Sequence, residues 1–257
     1  VKIIIGFIVV SIGFIAASVH LNQGLLSYWD FVAFAVVLCG IIAVSIITSP
    51  SLKFGIIWQE IIDAFKNNNG RREDAIHNSV NVMRGNIPTG SPKRIDQKIL
   101  VDGIELLQLG FSTEKIESIL SDRINNYSKD CMSIANWVRG LAKYPPAFGL
   151  AGTVLGLIHL MRGIAEGTNP QETGIRMAIA LVATLYGIIV ANILLNPMGE
   201  RIKANIQENE ILSEISLKTI LMIKERVNLV EAQEHLTSYL TSSNKKINVL
   251  KKYLEAA

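Results

Sequence analysis

Four stretches of the chain run without a charged residue: 3–19, 31–48, 145–161 and 177–195. Crossing a bilayer takes about 20 apolar residues, with about 17 as the practical minimum. The second and fourth stretches meet this length; the first and third reach it with their flanks. Buried helices of water-soluble domains rarely stay uncharged for so long, so the pattern predicts an integral membrane protein with four spans. The first stretch also fits a cleaved signal peptide, with Lys2 before the apolar run and Ala16-Ala17-Ser18 after it. Cleavage would leave an odd number of spans, so a retained first span is expected.

Between the apolar stretches the period is helical. Phe54, Ile57, Trp58, Ile61, Ile62 and Phe65 form one stripe, read as a continuation of the second span. Asn67-Asn68-Asn69-Gly70 ends it. Ile76, Val80 and Met83 mark a shorter helix, and 85–92, with two Gly and two Pro, a loop. Ile95, Ile99 and Leu106 mark a third helix that closes near Gly110. From Ser112, a candidate N-cap, the positions Ile116, Leu120, Ile124, Tyr127, Cys131, Ile134, Val138 and Leu141 step by three and four straight into the third span. After the fourth span Ile202, Ile206, Ile215, Ile220, Ile223, Val227 and Val230 do the same. Ser242-Ser243-Asn244 ends that helix, and 245–252 is a basic, lipid-facing or solvated tail.

The expected fold is therefore an all-α membrane protein with long cytoplasmic helical extensions and a helical insertion between the second and third spans. Its parts are a hairpin at 1–50, a cytoplasmic domain at 51–144, a second hairpin at 145–197 and a C-terminal helix and tail at 198–257.

Charge sets the orientation. Of 25 Lys and Arg, 13 lie between the second and third spans and nine follow the fourth, while 19–30 and 165–175 hold none. Cytoplasmic flanks carry the positive excess, so both termini and the insertion are placed in the cytoplasm. Arg162 and Arg176, near the outer ends, are expected to snorkel or to pair with Glu166 and Glu172. Hydrophobic residues make up 49% of the chain, charged residues 18%, and the mean hydropathy is +0.34, which excludes a disordered chain. Two cysteines exclude a disulfide framework, and a net charge of +3 gives no reason to expect nucleic acid.

Enzyme chemistry has no foothold. There is no phosphate-binding loop, and His20, His77, His159 and His235 are scattered. The expectation is no catalytic residue, no resident metal and no cofactor. Gly152-x-x-x-Gly156 in the third span reads as close helix packing. More telling, none of the four apolar stretches contains Asp or Glu. Ion transport through a bilayer commonly uses a membrane carboxylate. Either the protein moves no ions, or a partner supplies the carboxylate beside Thr153 and Thr184. The blander expectation for either threonine is a bond to its own helix backbone.

Residues 144–160, YPPAFGLAGTVLGLIHL, resemble the third transmembrane segment of the MotA/PomA flagellar stator subunits. Residues 178–192, AIALVATLYGIIVAN, with Asn196-Pro197 beyond, resemble the fourth. Across 1–140 the likeness is architectural: chain length, span number and the insertion. The wider relatives TolQ and ExbB have three spans, so the two N-terminal stretches favour the stator branch.

This resemblance implies the ion-conducting, torque-generating half of a rotary motor, important in motility and chemotaxis. Five copies, a homopentamer, would surround a dimer of a single-span, peptidoglycan-anchored MotB/PomB-type partner that carries the ion-binding aspartate. Their cytoplasmic parts would push a rotor switch-complex protein of the FliG type. Pro146 matches the proline at the inner start of the third span and Pro197 the one closing the fourth; a proline kink there would couple channel to torque. Thr184 matches a threonine shared by sodium and proton stators. Thr153 matches a threonine of sodium types that is commonly Ala in proton types, so the transported ion is expected to be sodium rather than a proton. Tyr186, with Gly152 and Gly156, would pack between subunits. Arg84 aligns with a basic rotor-contact position, but Ser91-Pro92-Lys93-Arg94 replaces an acidic cluster, and Asp96 is the nearest acid. Arg84, Lys93, Arg94 and Asp96 would form a modified rotor face or a solvated loop. The reversal keeps open a same-plan motor with an ExbB/TolQ-like role and a non-flagellar load.

Overall fold

A computed structural model describes residues 2–20, 29–50, 54–66, 70–86, 92, 94–167 and 169–240. These residues are helical throughout, with no strand among them. In chain order the helices are α1 (Lys2–His20), α2 (Phe31–Thr48), α3 (Phe54–Phe65), α4 (Arg71–Met83), α5 (Ile95–Gln108), α6 (Thr113–Leu141), α7 (Tyr144–Ala165), α8 (Pro170–Ile189), α9 (Asn196–Lys224) and α10 (Leu229–Thr237), with a π-helical turn, Val190–Leu195, joining α8 to α9. Three helices are long and apolar enough to cross a membrane: α2, one within Thr113–Ala165 and one within Ala180–Lys224. In α1, Ser11–His20 is a further apolar helical stretch.

The chain divides into two compact units. Unit 1 is Val1–Phe54 with Ser133–Arg201, and unit 2 is Gly55–Met132 with Ile202–Ala257. In unit 1, α7 and α8 pack along their length, and α2 lies against both. Leu141, Ala142, Ala191 and Leu195 form its lower apolar cluster, with Val44, Trp137 and Met198 against it. In unit 2, Ile99 and Leu100 of α5, Ile116 and Leu120 of α6, and Leu217, Ile220 and Leu221 of α9 form one fully buried cluster. A second joins Ala75, Ile76 and Val80 of α4 to Leu212 and Ile215 of α9 and Leu236 of α10.

Several boundaries depart from the sequence pattern. α3 does not continue α2: Ser49 caps α2 with an extended backbone (ψ 138°), as expected of the residue before Pro50. The stripe leading into the third span is interrupted at 142–143, where Ala142 N–H turns back to Arg139 O and Lys143 N–H to Gly140 O. The last stripe is also broken. α9 stops at Lys224, Arg226 takes a left-handed conformation (φ 56°), and Asn228 caps α10 by accepting from Val230 N–H. The expected break at 242–244 and the basic tail lie outside the described residues, as does most of the 85–92 loop.

Pro197 does not close the fourth span. The helical backbone passes through it, with Pro197 in the first turn of α9. Proline lacks the N–H and its ring collides with the carbonyl four residues back. The preceding π-turn widens the backbone there, and Asn196 N–H donates to Ala191 O, five residues back. Pro145 and Pro146 likewise sit in the first turn of α7, where an N–H would lack a helical partner anyway. They start the helix rather than kink it.

Candidate functional site

The site grows from glycines. Gly149, Gly152 and Gly156 fall on one face of α7, spaced three and four apart. A Cβ on Gly149 would stand 2.7 Å from Ala183 O and 2.9 Å from Thr184 Cα. On Gly152 it would stand 2.9 Å from Ala183 Cβ, and on Gly156 2.5 Å from Ala180 Cβ. At the other end Gly187 of α8 meets Pro145 O and Pro146 Cα. The α7 and α8 backbones therefore approach as closely as absent side chains allow.

That proximity lets Thr153 reach across. Its Oγ1 lies 3.1 Å from Gly149 O on its own helix and 3.0 Å from Ala180 O on α8. Thr153 and Thr184 Oγ1 atoms stand 2.5 Å apart, and Thr184 Oγ1 is 3.3 Å from Gly149 O. Four short contacts are thus shared by two hydroxyl protons, each able to serve one acceptor well. The result is a neutral, oxygen-rich knot, with Thr153 buried and Thr184 half-buried. At Thr153 the blander expectation is met, a bond to its own helix backbone, and the hydroxyl also bridges to the next helix. Oxygens in excess of protons are suited to replacing part of a cation's hydration shell.

Tyr186, expected between subunits, packs inside the chain. Its hydroxyl accepts from Asp30 N–H at 3.0 Å, and its ring meets Phe34 edge-on at 5.9 Å. Asp30 caps α2, accepting from Ala33 N–H at 2.7 Å. Gly152 and Gly156 likewise serve contact within the chain. The sequence reading passed over Asp30, Gly40, Phe148 and Gly187, although Asp before an apolar run is a helix-start signal. Gly40 of α2 leaves room for the Phe148 ring of α7, so that α2 seats on the hairpin. His159 and Asn192 are exposed, and Asn192 Nδ2 donates to Ile188 O.

The described charged residues differ in their surroundings. Arg84 is exposed at the C-cap of α4, and Lys93 lies outside the described residues. Arg94 and Asp96 turn to each other: Nε and Nη2 donate to the two carboxylate oxygens at 2.9 and 2.5 Å. Asp96 is only 1% exposed. Its hydrogen bonds hold the Arg94 guanidinium above its ordinary pKa, against the cost of burial. The expected rotor-facing pair is therefore an internal one, because a carboxylate in the first turn of α5 is buried and needs a counter-charge.

Behind it runs a second polar network. Arg71 donates to Asn205 Oδ1 at 2.9 Å and Asn209 Oδ1 at 2.5 Å, and Tyr127 to Glu60 Oε1 at 2.8 Å. Arg72 grips Glu208 at 2.7 and 2.6 Å. Burial pushes the Tyr127 hydroxyl and the Cys131 thiol up, Cys131 to about 12.

Residues 91–214 match the model of the MotA/TolQ/ExbB proton channel family. The match covers 124 of the chain's 257 residues, a little under half. Among named members, a motility protein A of Aquifex aeolicus is 30% identical over 131 residues, 51% of this chain. That alignment spans 48% of the relative's length, so the chain covers about half of it. The chemotaxis protein PomA of Vibrio alginolyticus is 23% identical over 155 residues, 60% of either chain. The folds agree over almost everything: a C. jejuni MotAB structure superimposes with a TM-score of 0.79 at 19% identity, covering 94% of this chain and 96% of that one. A Bacillus subtilis flagellar MotAB stator complex gives 0.77 at 19% identity, covering 95% and 98%.

Proposed function

We propose that the protein is an ion-conducting, torque-generating stator subunit of a bacterial flagellar motor. It spans the inner membrane four times through α1, α2, α7 and α8, with both termini and unit 2 in the cytoplasm. The observation that carries this reading is the Thr153–Thr184 knot at the α7–α8 contact, in apolar stretches, 145–161 and 177–195, that hold no carboxylate of their own. An ion crossing here needs an acid from elsewhere, and a single-span MotB/PomB-type partner with a membrane aspartate meets that need. The hydroxyls and the Gly149 and Ala180 carbonyls would then complete the shell of a passing sodium ion. Five copies around a partner dimer, a FliG-type rotor protein as load, and no catalytic residue or resident cofactor complete the proposal.

The non-flagellar alternative leaned on reversed charge at 91–94. Arg94 is neutralised by Asp96, which removes part of that support.

The test is capture of the tagged protein from its native membrane, with mass spectrometry of what accompanies it. A single-span protein with a membrane aspartate and a peptidoglycan-binding domain is expected. A TolR- or TonB-like companion would transfer the load to the outer membrane, and recovery of the subunit alone with ion flux would overturn the motor. Swimming of a Thr153→Ala strain, measured across sodium concentrations at fixed pH, tests the ion. Loss of sodium dependence or of motility is expected, and unchanged sodium-driven speed would remove Thr153 from the path.

A further inference from the structure

The helical line that carries Thr184 continues in steps of four through Ile188, Asn192 and Asn196. These three are exposed, while the neighbouring Ala191 and Leu195 are buried in the lower apolar cluster of unit 1. Asn192 Nδ2 donates to Ile188 O at 3.2 Å, and Asn196 Nδ2 to Asn192 Oδ1 at 3.3 Å. The π-turn leaves a main-chain oxygen over. Helical continuation offers Asn192 O two donors: the N–H four residues on in an α-helix, and the N–H five residues on in a π-helix. The first, of Asn196, donates to Ala191 O instead. The second does not exist, because position 197 is proline. Asn192 therefore carries a main-chain O without a helical donor and an amide Oδ1 with a second lone pair, near the end of an uncharged stretch that runs from 177 to 195.

We propose that Asn192 O and Oδ1 form a second coordination station for the transported cation, about 12 Å along the helix from Thr184. The inference rests on the reading of this chain as an ion-conducting subunit and extends it beyond the threonine knot. A backbone carbonyl released from its helix is tolerated at membrane depth where it lines a water-filled path, and a polar side chain in a span marks such a path. The ligand is a partly dehydrated metal cation, sodium in the first place, since carbonyl oxygens replace hydration water around it and a proton needs no such shell. The station is neutral. It holds the ion more weakly than a carboxylate would, as conduction requires of a site the ion must leave. Pro197 acquires a role from this: it withholds the N–H that would otherwise occupy Asn192 O. Asn196, bonded to Oδ1 from the next turn, fixes the amide in place.

The test follows swimming speed across sodium concentrations at fixed pH, in a native strain where this chain is the sole subunit of its kind. Asn192→Leu, which keeps the volume and removes Oδ1, is expected to raise the sodium concentration for half-maximal speed several-fold. Asn192→Gln, which keeps the amide, is expected to recover most of that loss. Pro197→Ala restores an N–H that competes for Asn192 O, and is expected to raise the half-maximal concentration as well. An unchanged half-maximal concentration in Asn192→Leu and Pro197→Ala would overturn the inference, even with a lower top speed, because a fall in top speed alone marks a structural role. Should Asn192→Leu fail to reach the membrane, the shift in Pro197→Ala gives the reading by itself. Two controls separate this inference from the one beneath it. Swimming of the unaltered strain that ignores sodium would overturn the station and leave a stator subunit standing. Swimming that survives deletion of the chain would overturn the stator reading, and the station with it.

Discussion

Between α7 and α8 the contact is made by backbone: four glycines stand against Ala180, Ala183, Thr184, Pro145 and Pro146, and the large side chains Leu150, Leu155, Ile158 and Met161 point away. In unit 2 the contact is made by large aliphatic side chains. Ile99, Leu100, Ile116, Leu120, Ile215 and Ile220 are buried to 1% exposure or less, and Gly103 makes room for one of them, Ile220. With unit 1 in the membrane and unit 2 in the cytoplasm, as proposed, the difference follows from solvent. Where the surroundings are lipid, moving Leu from acyl chains into a helix contact gains little, so close backbone approach and hydroxyl bonds hold the helices. Where the surroundings are water, each buried aliphatic side chain contributes about 1.5–3 kcal/mol, and the interior fills with them. The chain thus displays its solvent boundary in the size of its contact residues.

The largest expected effect tests that boundary directly. Leu120→Ala, in the filled core of unit 2, is expected to cost about 2–5 kcal/mol. Leu155→Ala, exposed on α7, is expected to change the stability of the purified protein by less than about 0.5 kcal/mol. Thermal melts in one detergent compare them, and equal losses would erase the distinction. Next comes the reverse substitution. Gly149→Ala places a Cβ against Ala183 O, which belongs to the backbone and cannot turn aside. A loss of about 1–3 kcal/mol is expected, together with loss of torque, because the Thr153 bridge depends on the same approach. Gly140→Ala on α6 has open space at Cβ and is expected to be neutral or stabilising by up to about 1 kcal/mol. Melts and swimming speeds of the pair show whether space or helix propensity governs.

A smaller effect separates internal from external charge. Asp96→Asn removes the carboxylate from Arg94, which is partly solvated, so the loss is expected near the low end of the range for a broken charged bond, about 1 kcal/mol. Arg84→Gln, at an exposed position, is expected to leave stability unchanged and to alter motility if α4's end meets the rotor. A stable Asp96→Asn protein with a motility defect as large as that of Arg84→Gln would restore Asp96 to the rotor face.

Helix period and uncharged length were legible in the sequence, and with them the all-helical fold and close helix packing at Gly152 and Gly156, though not that the fourth segment of the same chain meets them. What escaped depends on contacts distant in sequence. Nothing near Pro197 announces a π-turn, since a proline in a helical pattern reads equally as an end. Asp96 looked like a surface acid because its burial is decided by the packing of α5 in unit 2, not by its neighbours in sequence. Tyr186 was assigned to a subunit contact from the resemblance alone, and its contacts with Asp30 and Phe34, some 150 residues earlier, lie beyond the reach of any local pattern. Thr153 was found for its chemistry, but its bond to Ala180 O needed the glycine approach that the spacing only hinted at.

The smallest predicted effect lies on the aqueous side of the comparison and depends on pH. The Cys131 thiol is raised from 9.0 to about 12, first by burial and then by the charge of Glu60. In the unfolded chain the thiol releases its proton near its ordinary value, while the folded chain keeps it. Above pH 9 the unfolded state therefore binds fewer protons, and stability falls as pH rises. The contribution is complete below pH 9 and is lost progressively toward pH 12. Tyr127 and Tyr239, also raised, add to the same fall around their ordinary value of 10.0, so the thiol's share is read from the difference between the protein and its Cys131→Ala variant. Between pH 9 and 10 the protein is expected to lose up to about 1 kcal/mol through the thiol, and Cys131→Ala to lose measurably less, whatever its starting stability. Melts at pH 8, 9 and 10 give the slopes. Equal slopes for the two proteins would mean that water reaches Cys131, and that this end of unit 2 is not the closed aliphatic interior described for its core.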